Sequence, residues 1–315
     1  MTIWRAAARL ARAGGGGALA TVARTTGSTP VPVGTKMLVG PAGRLEGSVG
    51  GGCVEADVLE AAQAAAAVGP VIRTHHLNAD LAGDLGLSCG GTVEIVVEPL
   101  VRQEAYVAAL EAAAAAEQGT LTTALDWSRG PHKQFSPAAD PEGPAAALSA
   151  DRHTMVEHLL PAPRVVVFGA GHVGSAIATT AAVAGFRVVI VDDRPEFADP
   201  ERFPRAMRVV AASVDAALPQ LAIAPQDAIV IATRGHRHDA AILERVARSS
   251  AGYVGLLGSR RKQAVITRAL QQAGVPAEAL QRVRVPVGLA IGAETPEEIA
   301  VSVAAELIAW RRRAR

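Results

Sequence analysis

Apolar positions in this chain follow two different rhythms, and the change falls near residue 160. Before it, short apolar runs alternate with turn signals and alanine-rich stretches. Ala18 to Thr25 reads as a strand carrying Leu19 and Val22, followed by a Gly-Ser-Pro turn. Lys36 to Val39 is a second short strand, turned by Pro41-Ala42-Gly43. Strong helix formers run from Val54 to about Val68 and stop at Gly69-Pro70. Val71 to Leu77 and Val93 to Glu98 read as strands, Glu104 to Glu117 as a helix stopped by Gly119, and Leu121 to Trp127 as a strand. Ser128 to Asp151 is dense in Pro, Gly, Ala and Asp and reads as a loop or hairpin, after which Thr154 to Leu159 returns as a last strand. At the start, Ile3, Trp4, Ala7, Ala8, Leu10 and Ala11 fall near helical spacing. They predict a surface helix packed on the first domain; Arg5, Arg9 and Arg12 mimic a targeting peptide only faintly, because no long apolar core follows.

Leu160-Pro161-Ala162-Pro163 is a short stiff linker, and the reading divides the chain into domains 1–160 and 164–315. After it, strand and helix patterns alternate. Strands are expected at 165–168, 188–191, 208–211, 228–232 and 253–256, and helices at 173–184, 239–248, 261–273 and 296–310. Such alternation predicts an α/β chain whose second half is a Rossmann-like, doubly wound parallel sheet, behind an α+β first domain. No internal repeat is visible.

The glycines supply the chemistry. Gly169-x-Gly171-x-x-Gly174 follows a strand, opens a helix, and precedes a strand ending at Asp192-Asp193, the full context of a dinucleotide fingerprint. In such a fold the glycines make the turn, admit a pyrophosphate and allow close helix packing, while Asp192 would hydrogen-bond a ribose diol. Arg194 softens the preference for an unphosphorylated 2′ position. The same cleft suits NAD, a pterin dinucleotide or another phosphate, or is a Rossmann fold that binds none. Thr233-Arg234-Gly235-His236-Arg237-His238-Asp239 and Gly258-Ser259-Arg260-Arg261-Lys262 leave the carboxyl ends of further strands. With His172 and Asp193 they place Arg234, His236, His238, Ser259 and Arg260 on one crest. That crest reads as an anion-binding rim, as a metal site of His172, His236, His238 and Asp193, or as surface hydrogen-bond donors.

Gly47-Ser48-Val49-Gly50-Gly51-Gly52-Cys53-Val54-Glu55 brings a thiol to a helix start after three bare backbone units. Glycine permits positive φ and close approach of a ligand, and a helix N-terminus favours anions, a thiolate among them. The plain alternative is a tight turn before a buried cysteine. Leu87-Ser88-Cys89-Gly90-Gly91 presents the second of only two cysteines, again beside glycines. Zinc is poorly served without paired C-x-x-C spacing, even with His75 and His76 available, and a disulfide or a nucleophile are further options. Thiolates suit a soft metal. Glu55 either positions a ligand amine or stabilises the helix start.

Composition narrows the classes. Half of the 315 residues are apolar, net charge is +1 and aromatics are 3%, with no basic stripe, which argues against nucleic acid as a partner. Two cysteines make no disulfide framework, so the chain reads as cytoplasmic with reduced thiols, and no apolar run is long enough for a bilayer.

These motifs, with Gly27-Ser28-Thr29-Pro30-Val31-Pro32-Val33-Gly34-Thr35-Lys36-Met37, Gly255-Leu256-Leu257-Gly258-Ser259 and the closing Pro286-Val287-Gly288-Leu289-Ala290-Ile291-Gly292-Ala293-Glu294-Thr295-Pro296-Glu297-Glu298, resemble the XdhC/CoxI family of xanthine dehydrogenase accessory proteins. Only roughly 101 to 150 lies outside the resemblance. It implies a maturation factor rather than an enzyme. Such a protein holds molybdenum cofactor (molybdopterin) and passes it to an apo xanthine dehydrogenase or related molybdenum hydroxylase. On this resemblance Gly50, Gly51, Gly52, Cys53, Glu55, Cys89 and Gly90 hold the cofactor, with Cys53 and Cys89 facing the metal. A homodimer and a cysteine desulfurase as second partner are implied as well. The chain departs from the family pattern at Val31, where an arginine is common, and at Arg284 and Ala290, where a histidine and an aspartate are common. Those losses weigh against a catalytic closing loop and leave the glycine-cysteine segment untouched. An NAD-dependent oxidoreductase is the alternative, but it lacks a nameable hydride-transfer acid and leaves the cysteines unexplained.

Overall fold

The computed structural model describes residues 3–14, 16–77, 90–140 and 143–313. The chain forms two compact units, Met1–Pro161 and Ala162–Arg315.

In the first unit, helix α1 (Ile3–Ala13) precedes strands β1 (Ala18–Thr26), β2 (Lys36–Gly40) and β3 (Gly43–Gly47). Helix α2 (Gly52–Val68) leads to β4 (Val71–His76), and β5 (Thr92–Pro99) completes an antiparallel sheet in the order β3-β2-β1-β5-β4. Successive side chains of a strand face opposite ways. Accordingly Ala18, Ala20 and Val22 join Val54, Val58 and Ala61 of α2, whereas Leu19 and Leu38 join Ala7 and Ala11 of α1. Helix α3 (Glu104–Ala115) adds Tyr106, Val107 and Leu110 to that second cluster. Four more strands, β6 (Gly119–Ala124), β7 (Lys133–Ser136), β8 (Ala147–Leu148) and β9 (Thr154–Leu159), form a second antiparallel sheet in the order β7-β6-β9-β8. The segment read as a loop or hairpin thus contributes β7 and β8. Its signal was hidden because β7 carries a fully buried lysine. Lys133 Nζ donates to Glu98 Oε1 at 2.8 Å and to Thr123 Oγ1 at 2.6 Å, and Tyr106 Oη donates to Glu98 Oε2 at 3.0 Å. Burial, reinforced by the Glu98 charge, pushes the Tyr106 phenol well above its ordinary pKa.

The second unit alternates β10 (Arg164–Phe168), α4 (His172–Val183), β11 (Arg187–Asp192), β12 (Arg208–Ala211), α5 (Val214–Leu221), β13 (Ala228–Ile231), α6 (His236–Val246), β14 (Tyr253–Leu256), α7 (Arg260–Gln272), α8 (Ala277–Gln281), β15 (Val283–Arg284) and α9 (Pro296–Arg313). All six strands pair in parallel, in the order β12-β11-β10-β13-β14-β15. Numbered within the unit this is 3-2-1-4-5-6, the order of dinucleotide-binding sheets. Both faces are covered: α4 and α9 pack on Val165, Val167 and Val230, and α5 to α8 pack on Val166, Ile229 and Leu256. Such two-sided burial explains why these strands read as unbroken apolar runs. The sequence reading passed over β3, α5, α8 and β15. In α5 an internal Pro219 breaks the helical signature, while Ser213 caps its start by accepting from Ala216 N–H. Among the described residues no helix is long and apolar enough to cross a membrane.

Candidate functional site

The glycine-cysteine segment joins β3 to α2. A Cβ on Gly47 would overlap the Lys36 carbonyl oxygen, so the strand pair itself demands a bare residue there. Gly50, Gly51 and Gly52 then take φ of 134°, 75° and 54°, three consecutive conformations that L side chains avoid. Nothing lies within 4 Å of where a Cβ on Gly51 or Gly52 would stand. Packing therefore does not explain these glycines; their backbone is open to an approaching group. Cys53 follows as the second residue of α2, exposed and unbridged, and the N-cap Gly51 supplies no side chain to the free N–H groups of the first turn.

Glu55 anchors this loop. Its Oε1 accepts from Ser48 Oγ at 2.5 Å, its Oε2 lies 3.4 Å from Arg44 Nη1, and Ser48 Oγ in turn accepts from Gly50 N at 3.4 Å. These bonds tie Glu55 to its own loop, a role beside the two that the sequence offered, ligand-amine contact and stabilising the helix start. Two other segments reach the same edge. Ser28 forms a bridge with Gly90, and a Cβ on Gly50 would stand 3.8 Å from Pro30 Cγ. Gly90, at φ 62°, also has open space beside it. Cys89, expected to act with Cys53, lies outside the described residues. Asp57, one helical turn beyond Cys53, went unnoticed in the sequence; its Oδ2 lies 3.3 Å from His75 Nε2 and 3.5 Å from Arg73 Nε. Burial lowers the His75 pKa, partly offset by Asp57 and assisted by Arg73. His76 Nδ1 pairs with Thr92 Oγ1 at 3.1 Å. Among the described residues no group of three or more His, Cys, Asp and Glu is placed to hold a metal ion.

In the second unit the three fingerprint glycines divide their tasks. A Cβ on Gly169 would overlap the Ala232 carbonyl, and one on Gly174 would overlap the Gly169 carbonyl. Gly171, by contrast, has nothing within 4 Å and caps α4 without a side-chain bond. Packing does not require this glycine, and its bare backbone leaves room for an approaching group. A cleft of about 230 Å³ opens at the carboxyl ends of β10 to β13, lined by Gly169, Asp192, Arg194, Ser213, Arg234 and His238 among others; Gly171, two residues beyond Gly169, is not part of the lining.

Asp192 is not a free acceptor there. Its Oδ2 accepts from Ala170 N at 2.7 Å and Arg194 Nη2 at 3.0 Å, and its Oδ1 from Arg194 N at 3.0 Å and Arg194 Nε at 2.9 Å. Burial alone would raise this carboxyl; the Arg194 guanidinium and the two N–H groups outweigh it and hold the pKa down at about 2. Arg234 Nη2 approaches Asp193 Oδ2 at 3.4 Å. His172 is exposed on the first turn of α4, and it and Ser259 are not part of the cleft lining. Ser259 caps α7 by accepting from Lys262 N at 3.2 Å. His236 and Arg260 open α6 and α7, and their side chains lie outside the description. The two crest motifs meet through residues the sequence reading left without a role. Fully buried Asp239 accepts from Thr233 Oγ1 at 2.6 Å and pairs closely with Lys262, whose Nζ also donates to Leu257 O at 2.9 Å.

Residues 165–307 match the model of the XdhC Rossmann domain, and residues 10–76 match that of the XdhC and CoxI family. A Bacillus subtilis protein named as a probable xanthine dehydrogenase subunit is 31% identical over 94% of this chain and 93% of its own length. The Escherichia coli molybdenum cofactor insertion chaperone PaoD is 23% identical over 98% of this chain and 88% of its own. A crystal structure from Bacillus halodurans, described as a xanthine dehydrogenase, superposes with a TM-score of 0.78 and 26% identity, covering 100% of this chain and 97% of that one. With both halves matched and a relative aligned almost end to end, the chain belongs to the XdhC and CoxI family.

Proposed function

We propose that the protein is an accessory factor that holds molybdenum cofactor and delivers it to an apo xanthine dehydrogenase or related molybdenum hydroxylase. One observation carries the reading. The exposed Cys53 thiol stands on the first turn of α2, directly after the positive-φ glycines Gly50, Gly51 and Gly52, and the last two leave open backbone beside it. A thiolate is the soft donor that a molybdenum centre accepts, and bare N–H groups at a helix start suit the anionic end of a pterin phosphate. An exposed site fits cargo that must be handed on, whereas a resident cofactor is usually buried by its protein. The names of the Bacillus subtilis and Escherichia coli relatives support the same role. Cys89 and Gly90 belong to this proposed site, Glu55 holds its loop, and a cysteine desulfurase and a second copy of the chain are its further proposed partners. The test compares protein purified anaerobically from cells that make molybdenum cofactor with protein from cells that cannot. Only the former should carry molybdenum and pterin and restore activity to the apo-hydroxylase. Equal failure of both preparations to restore it contradicts the proposal.

The open backbone at Gly171 and the cleft lined by Gly169, Asp192 and His238 favour a second reading, an NAD-dependent oxidoreductase. NADH formation that depends on an added alcohol or hydroxy acid, and that is lost on changing His238, would establish it in place of the first.

A further inference from the structure

Dinucleotide-binding folds recognise a free ribose diol by an acid at the end of the second strand, because hydroxyl donors need acceptors. Here that acid is saturated. A carboxylate offers about four lone-pair positions, and Asp192 already receives Ala170 N–H, Arg194 N–H and two guanidinium N–H bonds. A diol would have to displace charge-assisted bonds to be read. The remaining hydrogen-bonding capacity at this end of the cleft is of the opposite kind. Arg194 keeps further N–H donors beyond the Nε and Nη2 it lends to Asp192, since a guanidinium has five. Ser213 lines the cleft with its hydroxyl hydrogen uncommitted, its oxygen accepting from Ala216 N at 3.4 Å. Arg234 lies on the same rim with a single long contact to the exposed Asp193, so both acids of the Asp192-Asp193 pair already hold a cation. The Arg194 guanidinium also stacks on Phe197, 3.5 Å from the ring centroid, which fixes the plane of its fork.

We infer that the cleft of the second unit selects a nucleotide carrying a phosphate on its adenosine ribose over one with a free diol, and that Arg194 is the residue that meets this phosphate. A phosphomonoester is an acceptor only and matches the donors in place. The Gly171 end of α4 seats the 5′-phosphate, as the open space beside that glycine allows. Because the two ion pairs balance, the phosphate is met by the Arg194 N–H donors not lent to Asp192 and by Ser213 rather than by an excess of cations. The inference concerns the second unit and stands independently of the cargo proposed for Cys53.

Calorimetric titration of the full chain with 2′,5′-ADP and with 5′-AMP tests it. 2′,5′-ADP should bind at least about tenfold tighter, the effect of one added charge-assisted contact. Arg194→Ala should erase that advantage, with 5′-AMP binding retained or tightened because Asp192 loses the two guanidinium bonds that keep it from a diol. Arg194→Lys should keep only part of the advantage, because an ammonium lacks the planar fork. Gly171→Val, at an ordinary φ of −68° with open space around it, should fold and lose both ligands. Equal or tighter binding of 5′-AMP, an advantage that survives Arg194→Ala, or no binding of either nucleotide would overturn the inference.

Discussion

The two glycine loops of this protein look alike in sequence and differ in what enforces them. In the second unit Gly169 and Gly174 are glycines because backbone carbonyls occupy the space a Cβ would need, and only Gly171 is left to a ligand. In the first unit Gly51 and Gly52 face open space and are glycines because of their backbone angles. One loop is locked by packing; the other is held by local conformation and by the Ser48–Glu55 tie. Within these two loops, Gly51, Gly52 and Gly171 are the glycines that no neighbouring atom requires, and so the ones where a ligand can approach the backbone.

The sharpest way to break this comparison is to put the same side chain into both loops. Gly174→Val forces a branched side chain onto the Gly169 carbonyl and should cost about 4 kcal/mol or more, the range of severe core disruption. At Gly51 a Cβ finds no atom within 4 Å, so Gly51→Val should cost about 1–3 kcal/mol, mainly through backbone strain, while abolishing cofactor retention. Urea denaturation of the two variants measures the difference; equal losses would show that both loops are packed alike.

Buried charges extend the contrast. Glu98 and Lys133 are wholly sealed in the first unit, whereas the Asp192–Arg194 pair lines a cleft. Lys133→Met strands the Glu98 carboxylate and should destabilise by about 3–5 kcal/mol, and the double change with Glu98→Gln should recover much of it. A single variant as stable as the parent would mean that the pair is not a structural element.

A smaller effect is expected at Asp192, from its titration. Its folded pKa of about 2 lies below the ordinary carboxylate value near 3.9, so the unfolded chain binds the proton more readily. The stability it contributes is present in full above about pH 4 and is lost as pH falls through about 2. Asp192→Asn should lower stability throughout the region above about pH 4, where the charged carboxylate contributes in full, and flatten the acid limb so that variant and parent converge near pH 2. An unchanged acid limb would contradict the ion pair.

Glu55→Ala should give the smallest change, about 1 kcal/mol from the lost Ser48 bond, with a measurable loosening of Gly50 to Gly52 in amide exchange. Unaltered exchange would show that the loop keeps its form without this tie.

Much of the second unit was legible in the sequence because strands buried on both faces read as apolar runs and Gly or Ser marks the helix starts. The strand limits at Arg208–Ala211 and Tyr253–Leu256 agree with the reading residue for residue. What escaped was structure whose local signal contradicts its state. Pro219 hid α5, and Lys133, polar in sequence yet buried by its pairing with Glu98, hid β7. The candidate sites were readable to the level of residue type and spacing, through Gly169, Gly171, Gly174 and the run ending in Cys53. Their electrostatics were not. That Asp192 would be taken up by an arginine two residues on, and that Asp57 would pair with His75 and Arg73, depends on rotamers and strand packing that spacing does not encode. The Asp239–Lys262 pair joins two motifs that lie on separate helices, a contact visible only once the sheet is assembled.

Cys53→Ala tests the central proposal most directly. The variant and the parent chain would be purified anaerobically from cells making molybdenum cofactor, and molybdenum and oxidised-pterin fluorescence measured per chain. Cys53 is exposed, so its removal should leave the melting transition unchanged while cofactor content falls about tenfold or more, the loss expected for one metal–thiolate contact. Undiminished molybdenum and pterin in a fully folded Cys53→Ala protein would contradict the account.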